Sequence, residues 1–276
     1  MATSKDFTSA KIADGPTEQK LYETALSTIS AVTKLPLVKV NREKFLSRQF
    51  ANSPHLEHIL AHGPQSVYTA EALQKKAHKI VRSNTTKTAV TSFVSGLPTN
   101  PLVMVPAGGA EVAQYFGFAI HMAQQIAYLF GEDELFTTGS ENVPEEAKVR
   151  ILAYLGAMFG ASGAAALIAQ TSKVLGQNVG KKVAAQALTK TAWYPLLKKS
   201  AALVGQRITK QTVEKTIIKA VPVVGGVVSG GLTVLTFRPM GYRLTEVFVG
   251  IMNGAFDDEL ELKPEFADTV EARDQT

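Results

Sequence analysis

Apolar positions recur along this chain in two patterns. In the first hundred residues they are spaced three or four apart with polar residues between them. From Thr17 to about Val32, Leu21, Ala25, Ile29 and Val32 mark one buried stripe of a helix, which Leu35-Pro36 ends. Asn41 to Ala51 reads as a short basic helix. Ser53-Pro54 reads as the opening of another, with Ser53 as N-cap and Pro54 in the first helical position, closed by Gly63-Pro64. Thr69 opens the helix TAEALQKKAHKIVRS, with Glu71 in its first turn and Lys and Arg in its last turns, the order that the helix dipole favours. Asn84 to Pro98 is polar and then mixed, and VTSFVSGLPTNP allows one short helix.

The second pattern is the long uncharged segment. Pro101 to Gly131 carries one charged side chain, Glu111, and predicts one helix from about Ala110 to Phe130. At about 100° per residue, Tyr115, Phe118, Met122, Ile126 and Leu129 share one side, and Ala113, Phe116, Ile120, Ala123 and Ala127 the other. A helix apolar on both sides is the centre of a helical core or a membrane element. Ile151 to Ala169 is uncharged and rich in Gly and Ala, and reads as a buried packing helix, with a membrane span as the alternative. Ala220 to Phe237 is also uncharged and rich in Gly and Val; by propensity it allows a strand pair. Arg238-Pro239 is expected to interrupt it, and Tyr242 to about Asn253 to form a last helix. Residues 1–16 read as a flexible lead and 254–276 as an acidic mobile tail, leaving 17–253 as one multi-helix domain.

Between the two apolar sides of the central helix runs a narrow polar line: Gln114, His121, Gln125 and Tyr128. Buried groups of this kind need partners. They form either a hydrogen-bond network between helices or the lining of a pocket, where His121 has the chemistry of a general base. Glu111, near the helix N-terminus, complements the dipole; buried, it would need a cation such as Arg238 or Arg243.

Charge changes the picture more than composition does. The net charge is +5, but residues 147–220 hold twelve Lys+Arg against one Glu, while residues 101–146 hold seven acids and no base. Lys173 to Lys219 is a basic arm with apolar residues interleaved, expected as two or three amphipathic helices broken near Tyr194-Pro195 and Gly205. Basic amphipathic helices with a lone Trp match interfacial membrane binding, with Lys181, Lys182, Trp193, Lys198 and Lys199 as surface candidates. No helix-turn-helix, zinc-finger or aromatic-glycine RNA motif points to nucleic acid. The chain has no cysteine, which excludes thiol catalysis and disulfides. Its N-terminus lacks the apolar core of a Sec-type signal. No phosphate-loop or dinucleotide motif occurs, and no cofactor is expected. His55, His58 and His62 lie on one flank of a short helix, a spacing that can ligate metal. With Glu57 pointing elsewhere, they read as a solvated polar flank and no metal site is expected.

Two landmarks together resemble the EcsC family of bacterial proteins. The first is AEVAQYFGFAIHMAQQIAYLFG after a Pro-rich entry, with Pro106, Gln114, Tyr115, Phe116, Gln124, Ile126, Ala127, Tyr128 and Gly131. The second is KAVPVVGGVVSGGLTVLTF, with Lys219, Pro222, Gly225, Gly226 and Gly230. The resemblance covers roughly Ala70 to Asn253. It implies a helical protein, cytoplasmic or membrane-associated, and supplies no catalytic residues; it also implies a helix entered through Pro222. The expectation is therefore an all-α protein with buried, small-residue-rich central helices. It is expected to be non-catalytic and peripheral, bound to lipid or an anionic surface on the inner face of the cell membrane, or to a membrane transport complex. The rival expectations are an integral or pore-forming protein spanning at Ile151–Ala169 and Ala220–Phe237, and an enzyme or carrier for an apolar ligand at the polar line.

Overall fold

Helix punctuation in the sequence is reproduced at the start of the chain. The computed structural model describes residues 16–86, 109–136, 143–176, 194–219 and 228–255. The 1–15 lead, the segment 87–108, the entry 220–227 and the 256–276 tail lie outside the described residues. Thr17 caps α1 (Glu18–Val32), its hydroxyl accepting from the Lys20 amide at 3.3 Å. Asn41 does the same for α2 (Arg42–Gln49), accepting from Lys44 at 2.7 Å, and Thr69 for α4 (Ala70–Asn84), accepting from Ala72 at 3.3 Å. Each cap satisfies an amide that the helix itself leaves open. α3 (Leu56–His62) starts two residues later than Ser53-Pro54 suggests. The Ser53 hydroxyl accepts from the His55 amide at 3.3 Å and bonds Tyr68 at 3.0 Å, so it closes a turn instead of capping the helix.

The described residues then form α5 (Gly109–Leu129), α6 (Glu145–Phe159), α7 (Ala164–Gly176), α8 (Tyr194–Lys219) and α9 (Val228–Met252). They contain no strand, and the fold class is all-α.

Three expectations about helix breaks are corrected. Ile151–Ala169 is not one segment. Gly160, at φ 81°, caps α6, the Ala161 amide bonds the Gly156 carbonyl at 2.7 Å, and α7 starts after Gly163 at φ 80°. Both glycines hold left-handed backbone, which other residues enter only at a cost. Gly205 does not break α8, and Pro239 does not break α9. A Cβ at Gly205 would stand 2.3 Å from the Leu21 carbonyl oxygen, so its absence lets α1 and α8 touch through their backbones. Pro239 removes one helical hydrogen bond. On either side of it, Phe237 and Met240 are buried and the Arg238 Nε donates to Thr85 Oγ1 at 2.9 Å. That packing carries the helix through. The strand pair considered for 220–237 is likewise corrected from Val228 onward, which is helical.

α5 and α6 pack together and form the middle layer. α1 and α8 pair on one side of them, α4 and α9 on the other, and each pair touches both middle helices. α5 is buried on both predicted apolar sides, with Phe116, Ile120, Ala123 and Ala127 on one and Phe118, Met122, Ile126 and Leu129 on the other. An aromatic seam joins it to α9: Phe237 lies 4.8 Å from Tyr115 and 4.6 Å from Phe118, and Phe248 stacks on Phe130 at 5.4 Å. α6 is buried along almost its whole length. Among the described residues no helix is long and apolar enough to cross a membrane.

Candidate functional site

α8 buries one stripe and carries its described charges away from it. Leu197, Ala201, Val204 and Ile208 recur at helical spacing and are buried against the middle layer and α1. That stripe fixes what faces outward. Lys199 is exposed, Lys198 is half-buried with its Nζ 5.1 Å from the Tyr194 ring, and Arg207 is exposed with its guanidinium 5.7 Å from the Phe159 ring. All three charged side chains described on α8 are cations, and none pairs with a carboxylate among the described residues. A ring below a cation holds it in place without neutralising it. Lys181, Lys182 and Trp193 lie outside the described residues.

The polar line on α5 is engaged by protein partners. The His121 Nδ1 lies 2.9 Å from the Leu37 carbonyl oxygen. A carbonyl only accepts, so Nδ1 carries the proton and Nε2 accepts from the Gln125 amide at 3.1 Å. Gln125 in turn accepts from Asn84, at the end of α4. Burial pushes the His121 pKa below its ordinary value. Tyr128 turns the other way: its hydroxyl accepts from the Leu135 amide at 3.1 Å, and burial pushes its pKa up to about 12. Gln114 is half-buried at the other end of the line. Three of the four residues are bonded within the protein, and Tyr128 turns away from the His121–Gln125 chain.

The neighbour, Gln124, at 0% exposure, has both amide atoms engaged. Its amide donates to the Val38 carbonyl at 2.7 Å and the Ile120 carbonyl at 3.0 Å, and its carbonyl accepts from the Val40 amide at 3.0 Å. It substitutes for a strand partner along 38–40.

Sequence reasoning also missed a charged cluster inside the protein. Arg150 on α6 is 1% exposed. Its Nη2 donates to Glu132 Oε2 at 2.5 Å and to the Asp133 carbonyl at 3.2 Å, and its Nε donates to the Tyr154 hydroxyl at 3.2 Å. That hydroxyl donates to Glu132 Oε2 at 2.7 Å, and Ser172 on α7 donates to the other carboxylate oxygen. Glu146 lies 3.6 Å from Nη1. Burial opposes the charge of Arg150, but Tyr154 and Glu132 outweigh it and hold the guanidinium pKa above its ordinary value. Burial raises the Tyr154 pKa. Both carboxylate oxygens of Glu132 have a donor, as buried polar groups require. The readable signal was Arg150 four residues before Tyr154 in an apolar helix; its carboxylate partner lies across a loop.

The side chain of Glu111, at the start of α5, lies outside the described residues. Arg243 donates to the Met158 carbonyl at 3.2 Å and Arg238 to Thr85. His55, His58 and His62 are exposed, with the rings of His58 and His62 4.5 Å apart. Among the described residues no group of three or more His, Asp or Glu side chains is placed to hold a metal ion. An open cleft between α2 and the loop after α5 is lined by Arg42, Glu43, Leu60, Asp133 and Glu134 and shares no residue with the polar line. Arg42 is tied there to the Glu132 and Leu60 carbonyls at 2.9 and 3.2 Å.

No protein-family model, no curated protein and no solved structure matches the chain.

Proposed function

We propose that this protein is a non-catalytic, peripheral helical protein that docks on an anionic membrane surface through the outer face of α8 and the rest of the Lys173–Lys219 arm. The observation that carries the reading is the α8 face itself: one side buried in the core, the other presenting Lys198, Lys199 and Arg207 without a carboxylate partner among the described residues. Cations near an anionic lipid surface each contribute on the order of 1 kcal/mol, and salt screens them over about 10 Å. The surface is the cytoplasmic face of a membrane, or of a transport complex within it, and the EcsC-like character is proposed with it. The polar line supports this by contrast, since His121, Gln125 and Tyr128 are bonded within the protein. Gly160 divides Ile151–Ala169 between two helices, and among the described residues no helix is long and apolar enough to cross a membrane.

Flotation of the full chain with neutral and with phosphatidylserine-containing vesicles, at low and high salt, tests the reading. Binding to the anionic vesicles alone, reversed by salt and weakened in K198E/K199E, is expected. No binding to anionic vesicles at low salt, or equal binding to neutral ones, overturns it.

A further inference from the structure

A second cationic stripe lies on the other outer layer. α4 buries Leu73, Ala77, Ile80 and Val81. On the opposite side of the same helix, Lys75, Lys79 and Arg82 are exposed at spacings of four and three, so they share one outward line. Arg82 is steadied by the Tyr242 hydroxyl, which its Nε reaches at 3.2 Å. Lys75 and Lys79 form no ion pair among the described residues. Glu71 opens the same line in the first turn of α4, four residues before Lys75, so the line carries three cations and one acid; Glu246 on α9 is held by Gln74 at 2.9 and 3.1 Å, 3.6 Å from His78.

The placement matters more than the count. α1–α8 and α4–α9 are the two outer layers of one three-layer fold, and the α5–α6 layer separates them. The α4 stripe and the α8 face therefore point away from each other. A single flat membrane reaches only one of them at a time. We infer that the protein has two opposed cationic docking faces and bridges two anionic phospholipid bilayers. The occupant of the α4 face is a second bilayer because the complementary chemistry is the same: exposed ammonium and guanidinium groups in a line. This rests on the proposed docking of α8, and the experiment separates the two.

The full chain is mixed with phosphatidylserine-containing vesicles at low salt. Flotation reports binding, and fluorescence energy transfer between two labelled vesicle populations reports clustering. The wild type is expected to float and to cluster. K75E/K79E is expected to float within about twofold of wild type and to lose clustering by roughly tenfold. K198E/K199E is expected to lose clustering as well. Lys75, Lys79 and Lys199 are exposed and Lys198 half-buried, and unchanged thermal midpoints confirm that the variants fold. Wild type that floats without clustering overturns the bridging inference and leaves the α8 reading standing. Clustering by K75E/K79E at the wild-type level also overturns it, since one face and self-association then suffice. Wild type that does not float overturns both.

Discussion

Arg150 and Glu132 meet at 2.5 Å in the protein interior, one from α6 and the other from the loop that follows α5. Removing one partner of a buried pair leaves the other charge uncompensated, at a cost of about 3–5 kcal/mol. Arg150→Met is expected to lower the unfolding free energy by that amount, because it strands both Glu132 and Glu146. Urea denaturation of R150M, E132M and the double variant closes the cycle. A coupling below about 1 kcal/mol between the two positions contradicts the geometry.

Gln124 is expected to behave as a backbone surrogate. Gln124→Leu keeps the volume but orphans the Val38 carbonyl and the Val40 amide. Unpaired buried groups cost about 1–3 kcal/mol each. The loss should be local as well as global: the Val40 amide should exchange its hydrogen faster in Q124L than in wild type, and unchanged protection there would sink the assignment.

Two glycines make a matched comparison. At Gly205 a Cβ meets backbone at 2.3 Å, whereas at Gly160 nothing lies within 4 Å and the constraint is φ 81°. Gly205→Ala should force α1 from α8 and cost about 1–3 kcal/mol, despite the higher helix propensity of alanine. Gly160→Ala should cost about 1–2 kcal/mol from backbone strain alone. Thermal melts of the two variants read this directly, and a stabilised G205A is the contrary outcome.

His121 gives the folded state a pH dependence. Its folded pKa is below the ordinary 6.5, because burial disfavours the imidazolium. As pH falls through 6.5 the unfolded chain takes up the proton first. The contribution is therefore fully present above about pH 6.5 and is lost as pH falls from there through the folded value. Denaturation midpoints measured from pH 8 to pH 5 should fall less steeply for His121→Gln than for wild type. Parallel curves would mean that His121 titrates alike in both states.

Much of the fold was legible because it is written locally. The starts of α1 and α4 at Thr17 and Thr69 and the two buried sides of α5 follow from local pattern, whereas the one cap named from sequence, Ser53, closes a turn instead. The misread breaks have one physical origin. Gly205 and Pro239 weaken a helix in isolation, and only the partner shows why each is kept: Leu21 lies against one, and Phe237, Met240 and Thr85 brace the other. The GASG stretch failed in the opposite sense, since its composition reads as helix packing while two of its glycines hold left-handed turns. On the site, the α8 cations follow from the charge block, and the polar line of α5 was visible. Which of its amides is deepest was not, because Gln124 and Gln125 differ by one residue and only tertiary contact chooses between them. The Arg150 cluster was hidden for the same reason, as its carboxylate arrives from a loop 18 residues earlier.

Each outer layer joins a helix from the first third of the chain to one from the last third. α5 and α6 cover part of the α1 and α4 stripes, and α8 and α9 complete the cover. During synthesis the first hundred residues therefore emerge with Leu21, Ala25, Ile29, Leu73, Ala77 and Val81 unshielded. They are fully covered only when more than two hundred residues have been made. Long-range closure of this kind slows folding and leaves nascent chains prone to association. The chain is thus an all-or-nothing assembly, dependent while it grows on whatever in the cell shelters exposed apolar helices.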